Sequence, residues 1–355
     1  MESKTAELLP VPKATRERGL CVVAIGGGTG LSTLLHGLKH YVRTSSELGA
    51  TQPDIPIIRD LCAVVTVSDD GGSSGRLRKE LNMLPPGDIR NCIVALSEDE
   101  ALLSQLFRHR FGKGSGLEGH SFGNLFLAAL TSITHDFSEA VRLSSEILLT
   151  RGHIHPATTS NIELQALMED GTRVCGETNI TASKGRIQEL FLVPANVNPL
   201  PQTLDAIARA DIITVGPGSL FTSLIPNLLV KGIAEAIVSS PATKIYICNL
   251  MTQANESLGL TAADHIRALN RHAGQQLFDY ALLNRAPVSD HLKAKYALEG
   301  ACQIVNDLDA IEVLGVIPVL GDYLEEGEVA RHNTVRVASE VMQLGSEHRS
   351  RSSPS

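Results

Sequence analysis

Residues 20–30 read LCVVAIGGGTG, a short apolar run closed by Gly26, Gly27, Gly28, Thr29 and Gly30, and the chain continues at once into LSTLLHGLKHYV, a helical pattern. A strand that passes through glycines straight into a helix is the unit of a parallel α/β sheet, because the chain must cross back over the sheet before the next strand can pair. The rhythm recurs. Leu61 to Val67 leads through SDDGGSSG into RLRKELN, Asp211 to Val215 through GPGS into LFTSLIPNLLV, and Lys244 to Cys248 into NLMTQ, while Phe278 to Leu283 ends at Asn284. Each polar loop follows the carboxyl end of a strand, so a doubly wound sheet gathers these loops along one edge, where such folds bind ligands.

The middle of the chain differs. From Ser121 to Leu149 the spacing of Leu, Phe, Ala and Ile is helical, whereas Asn161 to Ala166 alternates and reaches Asp170-Gly171, a two-residue hairpin signal. The pattern predicts a three-layer α/β domain over residues 19–345, with a mostly parallel sheet, a helical insert and an antiparallel hairpin. Disordered tails are expected at 1–18 and at 346–355, where SEHRSRSSPS has too little apolar surface to offset the entropy of ordering. A formal charge of −8 argues against a surface that neutralises nucleic acid. No signal peptide and no apolar run near membrane-spanning length is present, which predicts a cytoplasmic protein without a membrane span. The scattered cysteines, without a CxxC pair, read as buried thiols in a reducing compartment.

The glycines after the first strand expose unpaired N–H groups and the positive end of a helix dipole to a close-approaching anion. Gly26, Gly27, Gly28, Thr29, Gly30 and Leu31 are therefore phosphate-site candidates. The string is neither a dinucleotide fingerprint, since Leu31 or Thr33 stands where the third glycine belongs, nor a P-loop; a tight turn without a ligand is the competing reading. Gly216, Pro217, Gly218, Ser219 and Ser223 open a second helix with hydroxyl donors and form a second anion-site candidate. In Ser68–Arg76, Asp69 and Asp70 can bind sugar hydroxyls or Mg²⁺ with substrate phosphates, while Ser73, Ser74 and Arg76 suit phosphate; an N-cap and a solvated turn is the alternative. Asp88 and Arg90 follow a rigid Pro-Pro-Gly entry into a helix. Gly119-His120-Ser121-Phe122-Gly123 matches a hydrolase elbow as a string, but FGKGSGLEG before it is no central strand. Ser121 reads as a helix N-cap, with His120 and Asn124 facing the cleft. Asn249 and Gln253 offer amides that read a base edge or sugar hydroxyl, or cap turns. His153 and His155 share a strand face without further ligands and read as structural.

The strings GGGTGLS, VTVSDDGGSSGRLR, LPPGDIRN, GHSFGN, ADIITVGPGSLFTSLIPNLL and NLMTQ, in this order, resemble the gluconeogenesis factor family (YvcK-like), which is related to the CofD-like 2-phospho-L-lactate transferases. The resemblance runs from Val22 to Asn284. It implies a Rossmann-like fold and a cytoplasmic regulatory protein that binds UDP-sugars such as UDP-N-acetylglucosamine and affects carbon-source use, cell shape and cell-wall integrity. By motif, Gly26–Gly30 and Gly216–Ser223 would surround a diphosphate, and Asp69, Asp70 and Asp88 would lie on the substrate side. No cofactor is implied for binding; a transferase, the alternative, would use Mg²⁺ at Asp69 or Asp70. The family's TQPGET is here Thr252–Ser257, TQANES, a departure that leaves this loop's conformation open. A homo-oligomer, and a Ser/Thr kinase acting on a tail, are further partners left open.

Overall fold

The computed structural model describes residues 19–43, 56–98, 102–114 and 116–352; the expected tail at 1–18 lies outside them. Its strands are β1 (Leu20–Gly26), β2 (Ile58–Val65), β3 (His153–Pro156), β4 (Glu163–Met168), β5 (Arg173–Cys175) and β6 (Ile187–Val193). They continue with β7 (Ile212–Val215), β8 (Thr243–Ile247), β9 (Tyr280–Asn284), β10 (Ile317–Gly321), β11 (Leu324–Glu326) and β12 (Ala330–His332). Seven strands form one sheet in the order β10-β9-β8-β7-β1-β2-β3, and every pairing in it is parallel.

Every residue of β1 is buried, as are all four of β7, which is why these segments read as continuous apolar runs rather than alternating ones. Strand order runs outward from β1 through β2 to β3 in one direction, and from β7 through β8 and β9 to β10 in the other. The reversal lies between β1 and β7. In an open parallel sheet the helices that follow strands on either side of such a reversal cover opposite faces, and their entry loops part, leaving a crevice beyond the strand ends. This Rossmann-like arrangement brings the glycine turns after β1 and β7 side by side.

The hairpin exists but differs from expectation in two ways. β4 pairs with both β5 and β6 in a three-stranded antiparallel sheet. Its turn holds Glu169, Asp170 and Gly171, with Gly171 N–H donating to Met168 O and Met168 N–H to Thr172 O, each at 2.9 Å. Gly171 takes φ 84°, the left-handed residue that closes a three-residue loop, so Asp-Gly here marks the end of the turn rather than the whole of it.

The last helix, Thr334–Ser352, crosses most of the segment expected as a C-terminal tail. Val337, Ala338, Val341, Met342 and Leu344 are buried, so the helix is already nucleated by packing. Each further residue then adds a hydrogen bond without a new nucleation cost, which carries a polar sequence along as helix. Two cysteines also depart from expectation: Cys175, on the short strand β5, and Cys302 are exposed, while Cys21, Cys62, Cys92 and Cys248 are buried thiols. No single helix is long and apolar enough to cross a membrane.

Candidate functional site

The helix Gly28–Leu38 begins directly behind β1, and no side chain of its N-cap, Gly27, satisfies its first N–H groups. Two of the glycines are explained by the protein itself. A Cβ on Gly30 would overlap the Pro217 carbonyl, and one on Gly27 would lie 2.7 Å from Thr66 Cγ2 and 2.8 Å from Asp88 Oδ2. The β1 turn therefore packs against the β7 turn on one side and against Asp88 on the other. Ser223 Oγ, 3.7 Å from where a Cβ on Gly28 would sit, faces the turn across the crevice. Leu31, expected at the phosphate, is fully buried core, and Gly26 packs against Leu224.

Between the two turns lies a cavity of about 480 Å³. Gly27, Gly28, Thr29 and Gly30 form one wall, Pro217, Gly218, Ser219 and Ser223 the facing one, and Asn249 and Gln253 part of the floor. These expected residues are brought together. The sequence reading missed Thr33, Thr252, Tyr296, Arg331 and His332, which line it together with Leu250, Met251, Val329 and Ala330. Tyr296, Arg331 and His332 belong to the segment after Ala286, where no strand-to-glycine-loop signal marks a ligand edge, and the β11–β12 hairpin carries the last two over the mouth. Arg331 is exposed and forms no ion pair among the described residues, and no carboxylate lines the cavity. His332 Nε2–H donates to Cys248 O at 3.0 Å, and burial holds its pKa down to about 4, so it is neutral at physiological pH.

The β7 turn is not the second anion seat that its sequence suggests. Asn249 accepts from Gly218 N–H at 3.1 Å and donates to Gly218 O at 2.7 Å, so both ends of its amide are committed to the turn instead of a ligand. The N–H groups of Phe221 and Thr222 donate to one buried carboxylate oxygen of Glu256, at 2.7 and 2.9 Å. The protein thus supplies its own anion there, because an internal carboxylate carries no binding entropy cost and meets otherwise orphaned donors. Gln253 donates to Ser219 Oγ at 2.9 Å, while its Oε1 is buried with no hydrogen-bond partner. Asn255 takes φ 61°, the left-handed region that asparagine enters more readily than other side-chain-bearing residues.

The acidic residues gather on the other side of the β1 turn and separate from one another. Asp69 accepts from Gly71 N–H at 2.9 Å, whereas Asp70 accepts from Thr178 N–H and Oγ1 at 2.9 and 2.6 Å. The two carboxylates are committed to different elements, and among the described residues no three His, Cys, Asp or Glu side chains are grouped to hold a metal ion. Asp88 is half-buried beside Gly27; desolvation first, and then the charge of Asp69, push its pKa up to about 6. Burial, together with Asp69, Asp70 and Asp88, lifts Glu177 to about 7. Burial and Arg110 lower the pKa of Arg90, which donates to Asn91.

Ser73, His120 and Asn124 form a buried knot: Ser73 Oγ lies 3.0 Å from His120 Nδ1 and accepts from Asn124 Nδ2 at 3.1 Å. Ser121 is the N-cap of the helix Phe122–Thr134, accepting from Asn124 N–H. Ser74 is buried beside Gly87, and Arg76 donates to Glu118 O at the surface. None of these lines the cavity between the turns.

The raised Asp88 pKa predicts a pH dependence of stability. A carboxylate whose folded pKa exceeds its unfolded value binds more protons folded than unfolded, so stability is full below about pH 4 and falls as pH rises to about 6. The magnitude for Asp88 is about 3 kcal/mol. Asp88→Asn should unfold at higher denaturant concentration than the parent at pH 7.5 and lose much of that slope in urea melts between pH 4 and 7; an unchanged slope would assign it to other groups.

The profile of the family described as 2-phospho-L-lactate transferase CofD matches residues 22–324. The chain belongs to the CofD family, and within it to the gluconeogenesis factors. It is 49% identical over 324 residues to the gluconeogenesis factor of Halalkalibacterium halodurans, covering 91% of this chain and 95% of that protein. The gluconeogenesis factor of Bacillus subtilis is 47% identical over 325 residues, covering 91% and 97%. A solved structure from Bacillus halodurans, described as a member of the UPF0052 family, superposes with a TM-score of 0.84 at 47% identity, over 92% of this chain and 99% of that one.

Proposed function

We propose that the cavity between the β1 and β7 turns binds a nucleotide-sugar, of which UDP-N-acetylglucosamine is the first to test, and that occupancy regulates the protein's action as a gluconeogenesis factor. One observation carries this reading: the cavity combines Arg331 with a helix start whose N-cap, Gly27, has no side chain, and no carboxylate among the described residues lines its wall. That is the charge arrangement a diphosphate needs, with N–H donors on one side and a cation on the other. The unpartnered Gln253 Oε1 adds an acceptor for a base N–H or a sugar hydroxyl. Regulation requires that the ligand prefer one conformation or one partner-bound state, since equal affinity shifts nothing.

At a hundredfold excess over Kd the ligand should stabilise the protein by about 2.7 kcal/mol, read as a rise in Tm, and be recovered intact after long incubation. Arg331→Ala should weaken UDP-N-acetylglucosamine binding by about ten- to a hundredfold, the value of one charge-assisted contact, while the unliganded Tm stays within about 1 °C because the side chain is exposed. Equal calorimetric affinity in the two proteins would remove Arg331 from the site.

A Mg²⁺-dependent transferase of the phospho-lactyl type is the second reading, favoured by the raised pKa values of Asp88 and Glu177, which place proton-carrying acids close behind the β1 turn. On that reading product accumulates only with Mg²⁺, and Asp69→Asn abolishes it.

A further inference from the structure

We propose that Asp88 is a charge filter behind the phosphate seat, admitting a phosphodiester, with one negative charge per phosphorus, and disfavouring a terminal phosphate, which carries two. The inference rests on the nucleotide-sugar reading of the cavity and names what that cavity selects.

The β1 turn has two sides. Gly27 and Gly28 line the cavity with one, and Asp88 lies against the other, with Oδ2 2.8 Å from the position a Cβ on Gly27 would take. A ligand phosphate and the Asp88 carboxylate therefore address the same helix N-terminus from opposite sides. That N-terminus carries about half a positive charge, which one ionised carboxylate already offsets. Asp88 is half-buried behind the Gly27 backbone, so its field reaches the seat partly through protein and is incompletely screened. Asp69 and Glu177 add negative charge behind it, and Arg90 is the cation that opposes them. Arg331, across the cavity, supplies the attraction that a single negative charge can satisfy. Each further unit of ligand charge meets the carboxylate's repulsion with no second cation among the described residues of the wall.

A structural role for Asp88 does not explain its charge. Asparagine would fill the same place beside Gly27 without the cost of desolvating a carboxylate. The chemistry of nucleotide-sugars does explain it: UDP and a UDP-sugar share base, ribose and first phosphate, and differ at the second phosphate, which is a dianion in UDP and a monoanionic diester in the sugar conjugate. A binder that responds to the conjugate in the presence of UDP needs discrimination at that atom.

Calorimetry at pH 8 on the full chain, with UDP and UDP-N-acetylglucosamine as probes, tests this. In the parent protein UDP should bind at least about tenfold more weakly than the sugar conjugate. Asp88→Asn should tighten UDP about tenfold or more and the conjugate about threefold or less, so the preference collapses. Equal changes for both ligands, or none, would overturn the filter. If neither nucleotide binds either protein, the nucleotide-sugar reading falls, and sulfate, which keeps both charges at pH 8, decides the filter by itself. It must then raise the Tm of Asp88→Asn more than that of the parent at equal concentration, and an equal rise overturns the proposal.

Discussion

Gly30→Val should lower stability by at least about 3 kcal/mol and abolish ligand binding together with it. Inserting a side chain into a packed site typically costs about 1–3 kcal/mol when side chains can move aside. Here the first atom met is the backbone carbonyl of Pro217, with Gly218 Cα 2.9 Å from the same point, so the obstacle is main chain held by its own hydrogen bonds. The Gly28–Leu38 helix must swing away from the β7 turn, which opens the wall between the two halves of the cavity. A fall in Tm of at least about 5 °C is expected for a chain of this size. Gly112→Ala is the control: nothing lies within 4 Å of its Cβ position, so its effect should stay within about 0.5 kcal/mol. Equal losses in the two variants would show that the glycine contact between the turns is unimportant.

Glu256→Ala should cost about 3–4 kcal/mol, because it leaves the N–H groups of Phe221 and Thr222 buried without an acceptor and hollows the turn beneath them. Glu256→Gln retains an oxygen at the same place and should cost about 1 kcal/mol. The pair separates acceptor from charge. Burial holds the Glu256 pKa above the ordinary glutamate value, so the native state binds more protons than the unfolded one, and stability falls as pH rises above the usual carboxylate range. The Gln variant should flatten that fall in urea melts. If the Ala variant melts with the parent, the carboxylate does not hold the turn. If Ala instead creates an anion site, sulfate should restore part of the lost Tm, as expected for a helix N-terminus stripped of its internal anion.

The departure from expectation at this turn is instructive. GPGS followed by Leu220 has the same local form as GGGTG followed by Leu31, and both were read as anion seats. One is open, the other is filled by Glu256, and nothing within either string distinguishes them. Asn249 was legible as an amide at a strand end, but its commitment to Gly218 follows only from β8 lying beside β7. Asp69 and Asp70 are adjacent in sequence, yet one bonds its own loop and the other Thr178 in the antiparallel insert. Ser73, His120 and Asn124, ligand-side candidates by sequence, bond to one another in a buried knot that leaves Asn124 Oδ1 without a partner.

The amino-acid sequence by itself determined the local conformations: buried apolar strands, the glycine turns at their carboxyl ends, the helices that follow, and hence a mostly parallel sheet. These depend on spacing over a few residues, where sterics and backbone hydrogen bonding act directly. Only the tertiary structure decided that Glu256 would meet the β7 turn, that Asp88 would lie behind Gly27, and that Arg331 would arrive at the cavity from the far end of the chain. A hydrogen-bond donor at a helix start accepts whichever group packing delivers to it, and delivery is set by the whole arrangement of crossovers rather than by the residues beside the turn.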